Sequence, residues 1–287
     1  MRQRLIFLNG GLVREEGPHL SALDRGFTLG DGVFDTMRAV DGAIFRLGEH
    51  LQRLSSSAGA IGLEMPVAAR ELAVAIHELL EANDLANALV RVTLSRGVPA
   101  ERGLLPPSNP APCLAIMTTP FKGYPKELYE RGYRATVSNI RRNESSPLSR
   151  VKSCNYLDSV LARMEAANRG ADEALLLNTA RKLACGASSN VFLVRDETLV
   201  TPHLRSGVLD GVTRRAVLEL AARLGLASVQ RPVHPKELSL ATEVFVTNTA
   251  VGVMPVVAID GRPVGQGAVG PWTARLRDAY LELTSLR

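Results

Sequence analysis

The sequence predicts an α/β or α+β protein built in two lobes, and three observations predict it. Short apolar runs joined by Asn-Gly or Asp-Gly alternate with stretches whose apolar residues recur every three to four positions. A long segment rich in Gly, Pro and Arg, Arg96 to Pro112, interrupts that alternation. A second break, PFKGYPKEL, follows a strand-like run, and residues 120–126 within it read as a linker between a first lobe over 1–119 and a second over 127–287. The chain has 287 residues, 46% of them hydrophobic, which suffices for two cores.

The elements follow in order. LIFLNGGLV reads as a strand, an Asn9-Gly10 turn and a second strand; MRAVDGAIFRL repeats that pattern at Asp41-Gly42, and VVAIDGRPV at Asp260-Gly261. Leu47, Leu51, Leu54, Ala58 and Ile61 share one face of a helix that Gly62 stops. Glu71 to Asn83 is a second helix, with Leu72, Ile76, Leu79 and Leu80 facing inward. Val90 to Leu94 and CLAIMTT are strands flanking the Arg96 to Pro112 loop, whose length suggests a functional loop. In the second lobe Leu157, Val160, Leu161 and Met164 predict the inward face of a helix. Val217, Leu220, Ala221 and Leu224 predict that of another, ending at Gly225. EALLL, NVFLV and EVFVT are strands between them, and LACGASSN is a turn of small residues leading into NVFLV.

Composition narrows the function. Net charge is +5, but the basic residues are dispersed and aromatics are only 5%, so a nucleic-acid surface is not expected. The mild positive potential suits an anionic small molecule. Three cysteines without close spacing argue against a disulfide framework or a zinc site, and for a reducing cytoplasm. The apolar part of MRQRLIFLNGG is short for a signal peptide, and no apolar run reaches the roughly 18 residues of a membrane helix.

Four stretches carry residues suited to chemistry. Lys152 in SRVKSCNYLDSVLARMEA precedes an amphipathic helix, in company with Ser, Asn and Tyr. LDGVTRRAVLELA places a glycine at the mouth of a helix, where unpaired N–H groups and the helix dipole favour an anion. VFVTNTAVGVMPV ends a strand in hydroxyls and free N–H groups. FRLGEHLQRL puts His50 and Arg53 three apart on one helical face, a pair able to meet a phosphate. Taken singly, each is equally a surface lysine, an ordinary turn, a polar strand end or a solvated helix face.

Taken together they resemble the class IV aminotransferases, the fold-type-IV enzymes that use pyridoxal 5′-phosphate. That family includes branched-chain and D-amino acid aminotransferases and 4-amino-4-deoxychorismate lyase. The resemblance runs from FLNGGLV to GPWTARL through LDRGFTLGDGVFDTMRA, FRLGEHLQRL, KSCNYLDSVLA, LDGVTRRAVLELA and FVTNTA. It implies a smaller N-terminal α/β lobe on the substrate side, a larger C-terminal cofactor-binding lobe with a pseudo-barrel, and a homodimer. It also implies that Lys152 is the Schiff-base lysine that moves the substrate's α-proton. Arg53, with His50 nearby, is implied for the phosphate, together with Val212, Thr213 and Thr249. Tyr156 would lie near the cofactor's phenolic oxygen or serve as a core aromatic. Phe34, Thr36 and Arg38 are implied for the substrate pocket, and Arg102 for a substrate carboxylate. No metal is implied.

One position departs from the family. Most members carry a glutamate immediately before the small-residue turn, paired with the pyridine nitrogen; here that residue is Cys185, 33 residues after Lys152. Glu173 lies twelve residues earlier, before a predicted strand, and does not restore the carboxylate by a slip of register. A thiol is a weak donor with a reference pKa of about 8.5. It would leave the ring nitrogen less often protonated, pair with it as a thiolate, or serve only as a small buried residue. The expected reaction is amino transfer between an α-amino acid and a 2-oxo acid. The alternatives are a lyase releasing pyruvate, which needs a weaker electron sink, and a cofactor-binding relative with little turnover.

Overall fold

The computed structural model describes residues 4–17, 19–101 and 103–285. By contact the chain divides into two units: residues 1–122 with Val151–Asn155, and residues 123–150 with 156–287. The first break falls inside the 120–126 segment. The return of Val151–Asn155 to the first unit corrects the expectation that Lys152 belongs with the C-terminal lobe. Its cause is backbone pairing: the Phe34 N–H donates to the Lys152 carbonyl, the Cys154 N–H donates to the Gly32 carbonyl, and Val33 and Ser153 form an antiparallel bridge.

The first unit contains β1 (Leu5–Leu8), β2 (Gly11–Arg14), α1 (Arg25–Leu29), β3 (Gly32–Val40), β4 (Ala43–Ile44), α2 (Leu47–Ala60), α3 (Ala69–Ala82), β5 (Ala88–Ser95) and β6 (Cys113–Pro120). Its strands form an antiparallel sheet in the order β2-β1-β6-β5-β3-β4. The two hairpins close where Asn9-Gly10 and Asp41-Gly42 all take positive φ, the conformation these residue types tolerate at least cost. Side chains alternate along a strand, so β3 has two characters. Val33, Met37 and Ala39 join Leu51, Leu54 and Ala58 of α2 and Leu72, Ile76 and Leu79 of α3 in one core. Phe34, Thr36 and Arg38 lie on the opposite face.

The second unit contains α4 (Lys126–Arg131), β7 (Tyr133–Arg142), α5 (Leu157–Asn168), β8 (Glu173–Asn178), β9 (Leu183–Gly186), β10 (Asn190–Arg195), β11 (Thr198–Pro202), α6 (Val212–Arg223), β12 (Ala227–Arg231), β13 (Glu243–Asn248), β14 (Gly252–Ile259), β15 (Arg262–Pro263) and α7 (Pro271–Ser285). The sheet is mixed and runs β12-β11-β10-β13-β14-β7-β8-β9, with β15 paired to β14. A bridge from Leu183 of β9 to Val233, just past β12, joins its two ends. The sheet thereby wraps a core of Leu175, Leu177, Leu183, Val191, Leu193, Val233, Val244, Val246 and Met254. That closure is the pseudo-barrel.

Two expectations need correction here. Leu157, Val160, Leu161 and Met164 do not face inward; they are 69%, 49%, 43% and 56% exposed. α5 buries Ala162 and Ala166 instead, against Ala174 and Leu176 of β8, because small residues let the helix approach the sheet closely. The LACGASSN stretch is not all turn: Leu183–Gly186 is β9, hydrogen-bonded to β8 with Cys185 opposite Leu176, and only Ala187–Ser189 turns into β10.

Candidate active site

The segment that returns to the first unit carries Lys152. Its carbonyl is held by Phe34, and its N–H donates to Ser57 Oγ at 3.3 Å. The backbone at the lysine is therefore fixed at both polar atoms, while the four-carbon side chain stays adjustable. Nζ lies 4.5 Å from the Phe34 ring centroid. Arg91 of β5 stands over the same ring, with Cζ at 3.7 Å. An aromatic face attracts both cations through its quadrupole, so Phe34 gathers two positive groups at one point of the sheet.

Arg91 is a residue that the sequence reading missed. It sits directly opposite Thr36 in the β3–β5 register, which sequence spacing does not reveal. Arg38 lies two residues further along the same face of β3, with Cζ 5.4 Å from the Phe121 centroid. Its Nε is buried without a hydrogen-bond partner among the described residues. Phe34, Thr36, Arg38 and Arg91 thus share one face beside Lys152, an arrangement suited to a carboxylate. Arg102 lies outside the described residues. The loop around it is tethered by Arg25, which donates to the carbonyls of Gly103 and Leu104 and pairs with Asp31; Arg96 pairs with the same carboxylate.

On the helix-covered face of β3, Asp35 is wholly buried and meets α2. Arg53 donates to it twice, Nε to Oδ2 and Nη2 to Oδ1, each at 2.8 Å. His50 Nδ1 lies 2.8 Å from Oδ1. Burial alone would raise the Asp35 carboxyl; the hydrogen bonds from His50 and Arg53 and the charge of Arg53 outweigh it and hold the pKa at about 2. His50 and Arg53 are therefore not a solvated helix face. Asp35, also missed in the sequence, orients both.

In the second unit, Val212 and Thr213 are the first two residues of α6, whose N-cap is Gly211 with no side-chain cap. The first N–H groups are thus left for an external acceptor. A side chain at position 211 would place its Cβ 2.1 Å from Asn190 Oδ1, so only glycine fits. Thr213 Oγ1 lies 3.4 Å from the Tyr280 hydroxyl. Thr249 sits half-buried in the turn after β13, beside Asn248, whose Oδ1 accepts from the N–H groups of Ala250 and Val251. Thr247 Oγ1, wholly buried nearby in sequence, has no hydrogen-bond partner among the described residues. Tyr156 is half-buried at the N-cap of α5.

Cys185 is half-buried and packs against the Ala162, Ala166, Ala174 and Leu176 cluster. Burial pushes its thiol up, Glu173 adds to that, and Arg142 opposes it. The protein thus holds the thiol protonated at neutral pH, which disfavours the thiolate alternative. Among the described residues, no group of His, Cys, Asp and Glu is arranged to hold a metal, and no helix is long and apolar enough to cross a membrane.

The family model for amino-transferase class IV matches residues 32–259. The D-alanine aminotransferase of Staphylococcus haemolyticus is 31% identical, over 96% of this chain and 96% of its own. The crystal structure of Escherichia coli branched-chain amino acid aminotransferase superposes with a TM-score of 0.94 at 32% identity, covering 99% of this chain and 95% of that one. The branched-chain amino acid aminotransferase of Thermobaculum terrenum, solved in its PLP-form, gives a TM-score of 0.89 at 30% identity, covering 98% of this chain and 94% of that one.

Proposed function

The chain belongs to the class IV aminotransferase family, and from that premise we propose that it moves an amino group between a branched-chain α-amino acid and a 2-oxo acid, with Lys152 as its catalytic residue. The cofactor of the family is pyridoxal 5′-phosphate, and relatives named for branched-chain substrates at 32% and 30% identity support the substrate class. The observation that carries the reading is Lys152, fixed through its backbone, with Nζ over Phe34 beside Arg91.

The residues present fit the cofactor. In the first unit, Arg53, aimed by Asp35, is a group suited to a phosphate; in the second, the uncapped start of α6 at Val212 and Thr213 is another, and Thr249 adds a hydroxyl there. Glycine at 186, where an added Cβ would lie 2.0 Å from Ser189 Oγ, and at 211, where it would lie 2.1 Å from Asn190 Oδ1, lets the backbone pack closely against those side chains. Pyridoxal 5′-phosphate supplies an electron sink for the pair left when an α-proton departs. Lys152 would hold the cofactor through its amine, and the same amine would move the proton at the substrate's α-carbon. Arg91 and Arg38 orient a substrate carboxylate on the open face of the first sheet, and Thr36 and Phe34 shape its surroundings. Tyr156 is assigned to the phenolic side of the cofactor ring, and Cys185 to its nitrogen side as a neutral thiol.

We further assign a homodimer, supported by the apolar α5 face of Leu157, Val160, Leu161 and Met164, which stays 43–69% exposed. The three free cysteines support a reducing cytoplasmic location.

The test supplies valine, leucine, glutamate or D-alanine with a 2-oxo acid and follows amino exchange. In parallel, aminodeoxychorismate is supplied and pyruvate is measured. Exchange with the branched-chain donors supports the proposal. Pyruvate release without exchange would identify a lyase, the reaction a protonated Cys185 suits best. D-alanine as the sole donor would move the substrate class.

A further inference from the structure

In the sequence Glu173 stands at the start of a strand, well before the small-residue turn. The fold carries it to that turn. It opens β8, is only 4% exposed, and lies directly behind Gly186: a Cβ built there would stand 3.2 Å from the Glu173 Cδ. Ser189 Oγ donates to Oε2 at 3.0 Å, while the N–H groups of Ala174 and Ala187 donate to Oε1 at 2.9 and 3.4 Å. Arg163 of α5 approaches Oε1 at 3.7 Å. Two backbone N–H groups, a hydroxyl and one cation converge on this group; Oε1 meets only groups that cannot accept, and the Ser189 hydroxyl donates to Oε2.

We infer that Glu173 is the acidic positioning residue of the cofactor's nitrogen side, acting through Ser189 and the Gly186–Ser189 turn in place of the carboxylate that position 185 lacks. This rests on the proposed assignment of Cys185 to that side. The groups that face Glu173 are Arg163 from α5, Tyr133 from β7 and Cys185 from β9. Burial pushes the Glu173 carboxyl up, against the pull of Ala174, Arg163 and Ser189. A cation brought to the far side of the turn opposes that rise, so the two protonation equilibria are linked: a protonated ring nitrogen favours ionised Glu173, and the reverse. Burial holds the Cys185 thiol protonated and an ionised Glu173 adds to it, against the pull of Arg142, leaving one negative centre at the turn rather than two.

The first measurement needs no cofactor. In a Cys113→Ser, Cys154→Ser background Cys185 is the remaining thiol, and its alkylation by iodoacetamide is followed across pH. Glu173→Gln is expected to move the midpoint down, raising alkylation at fixed mildly alkaline pH by roughly three- to tenfold. Ser189→Ala keeps the carboxyl but removes its Oε2 donor, and is expected to move the midpoint less than Glu173→Gln does. An unmoved midpoint in Glu173→Gln, or an equal shift in Ser189→Ala, overturns the inference.

The second measurement loads the protein with pyridoxal 5′-phosphate labelled with nitrogen-15 in the ring. The wild-type resonance is expected to report a protonated nitrogen, Glu173→Gln a deprotonated one, and the Glu173→Gln, Cys185→Glu double variant a return. A cofactor band with a ring resonance indifferent to Glu173→Gln refutes the role of Glu173 alone. Wild-type protein that takes up no cofactor refutes the underlying functional reading, while the thiol titration still decides whether Glu173 acts on Cys185.

Discussion

Arg53 grips Asp35 with two parallel hydrogen bonds of 2.8 Å, so the guanidinium plane is set by a carboxylate that no water reaches. An arginine held this way loses little further freedom when an anion arrives. Asp35→Asn removes the charge while keeping the shape, and leaves Arg53 without its counter-ion. It is expected to destabilise the fold by about 3 kcal/mol, the range for breaking a buried pair. It should also weaken pyridoxal 5′-phosphate binding more than pyridoxal binding. Denaturant melts and paired binding titrations check both; equal weakening of the two ligands would detach Arg53 from the phosphate.

The same pair predicts an acid dependence. The Asp35 pKa is about 2 in the fold against an ordinary value of 3.8. A depressed carboxyl pKa contributes stability above the unfolded value, and that stability is lost as pH falls through the folded value. The contribution is about 2 kcal/mol above pH 4 and disappears towards pH 2. Wild type and Asp35→Asn should therefore differ most above pH 4 and converge below it, read from unfolding free energies across that range.

Lys152→Ala should abolish the near-ultraviolet to visible band of lysine-bound cofactor and reduce amino exchange at least about a thousand-fold. Lys152→Arg keeps a cation over Phe34 yet offers no amine for linkage, so it should show the same loss. Appreciable exchange in either variant would remove Lys152 from the chemistry.

Arg91→Met keeps the length of the side chain and removes the cation over Phe34. If Arg91 holds the substrate's α-carboxylate in the open face beside Thr36, KM should rise at least about tenfold for glutamate and valine alike, with kcat less affected, since one charge-assisted contact is worth about 1.5–3 kcal/mol. An unchanged KM for both donors would mean that Arg91 only supports Phe34.

Val160→Glu and Leu161→Glu place charges on the exposed face of α5, where the side chains are about half open to solvent. They should leave the melting curve of the isolated chain nearly unchanged and shift sedimentation from dimer to monomer. A dimer that persists in both would move its interface elsewhere.

Much of this fold could be read from local signals. Asn9-Gly10, Asp41-Gly42 and Asp260-Gly261 mark hairpins because few other pairs take positive φ at both positions, and each does so here. The face of α2 is legible because Leu51, Leu54 and Ala58 pack back on β3, the long strand that α2 follows. α5 was misread because periodicity reveals which side is apolar but not what lies against it, and the tight packing falls to Ala162 and Ala166. Asp35 and Arg91 stayed hidden, and Glu173, though visible in the sequence, could not be brought to the turn, for a different reason. Their partners lie across a sheet or a turn, at separations that no motif spacing encodes.

The placement of Val151–Asn155 bears on how this protein can be taken apart. The break between Lys122 and Gly123 invites division into two gene fragments, yet a cut there leaves the lysine on the piece that lacks its strand partners, Gly32 and Phe34. Neither half inherits both the reactive side chain and the backbone that anchors it. Shuffling halves among relatives at that linker therefore exchanges the anchor of Lys152 along with the first lobe, and new chimaeras must match at Gly32–Phe34 before they match anywhere else.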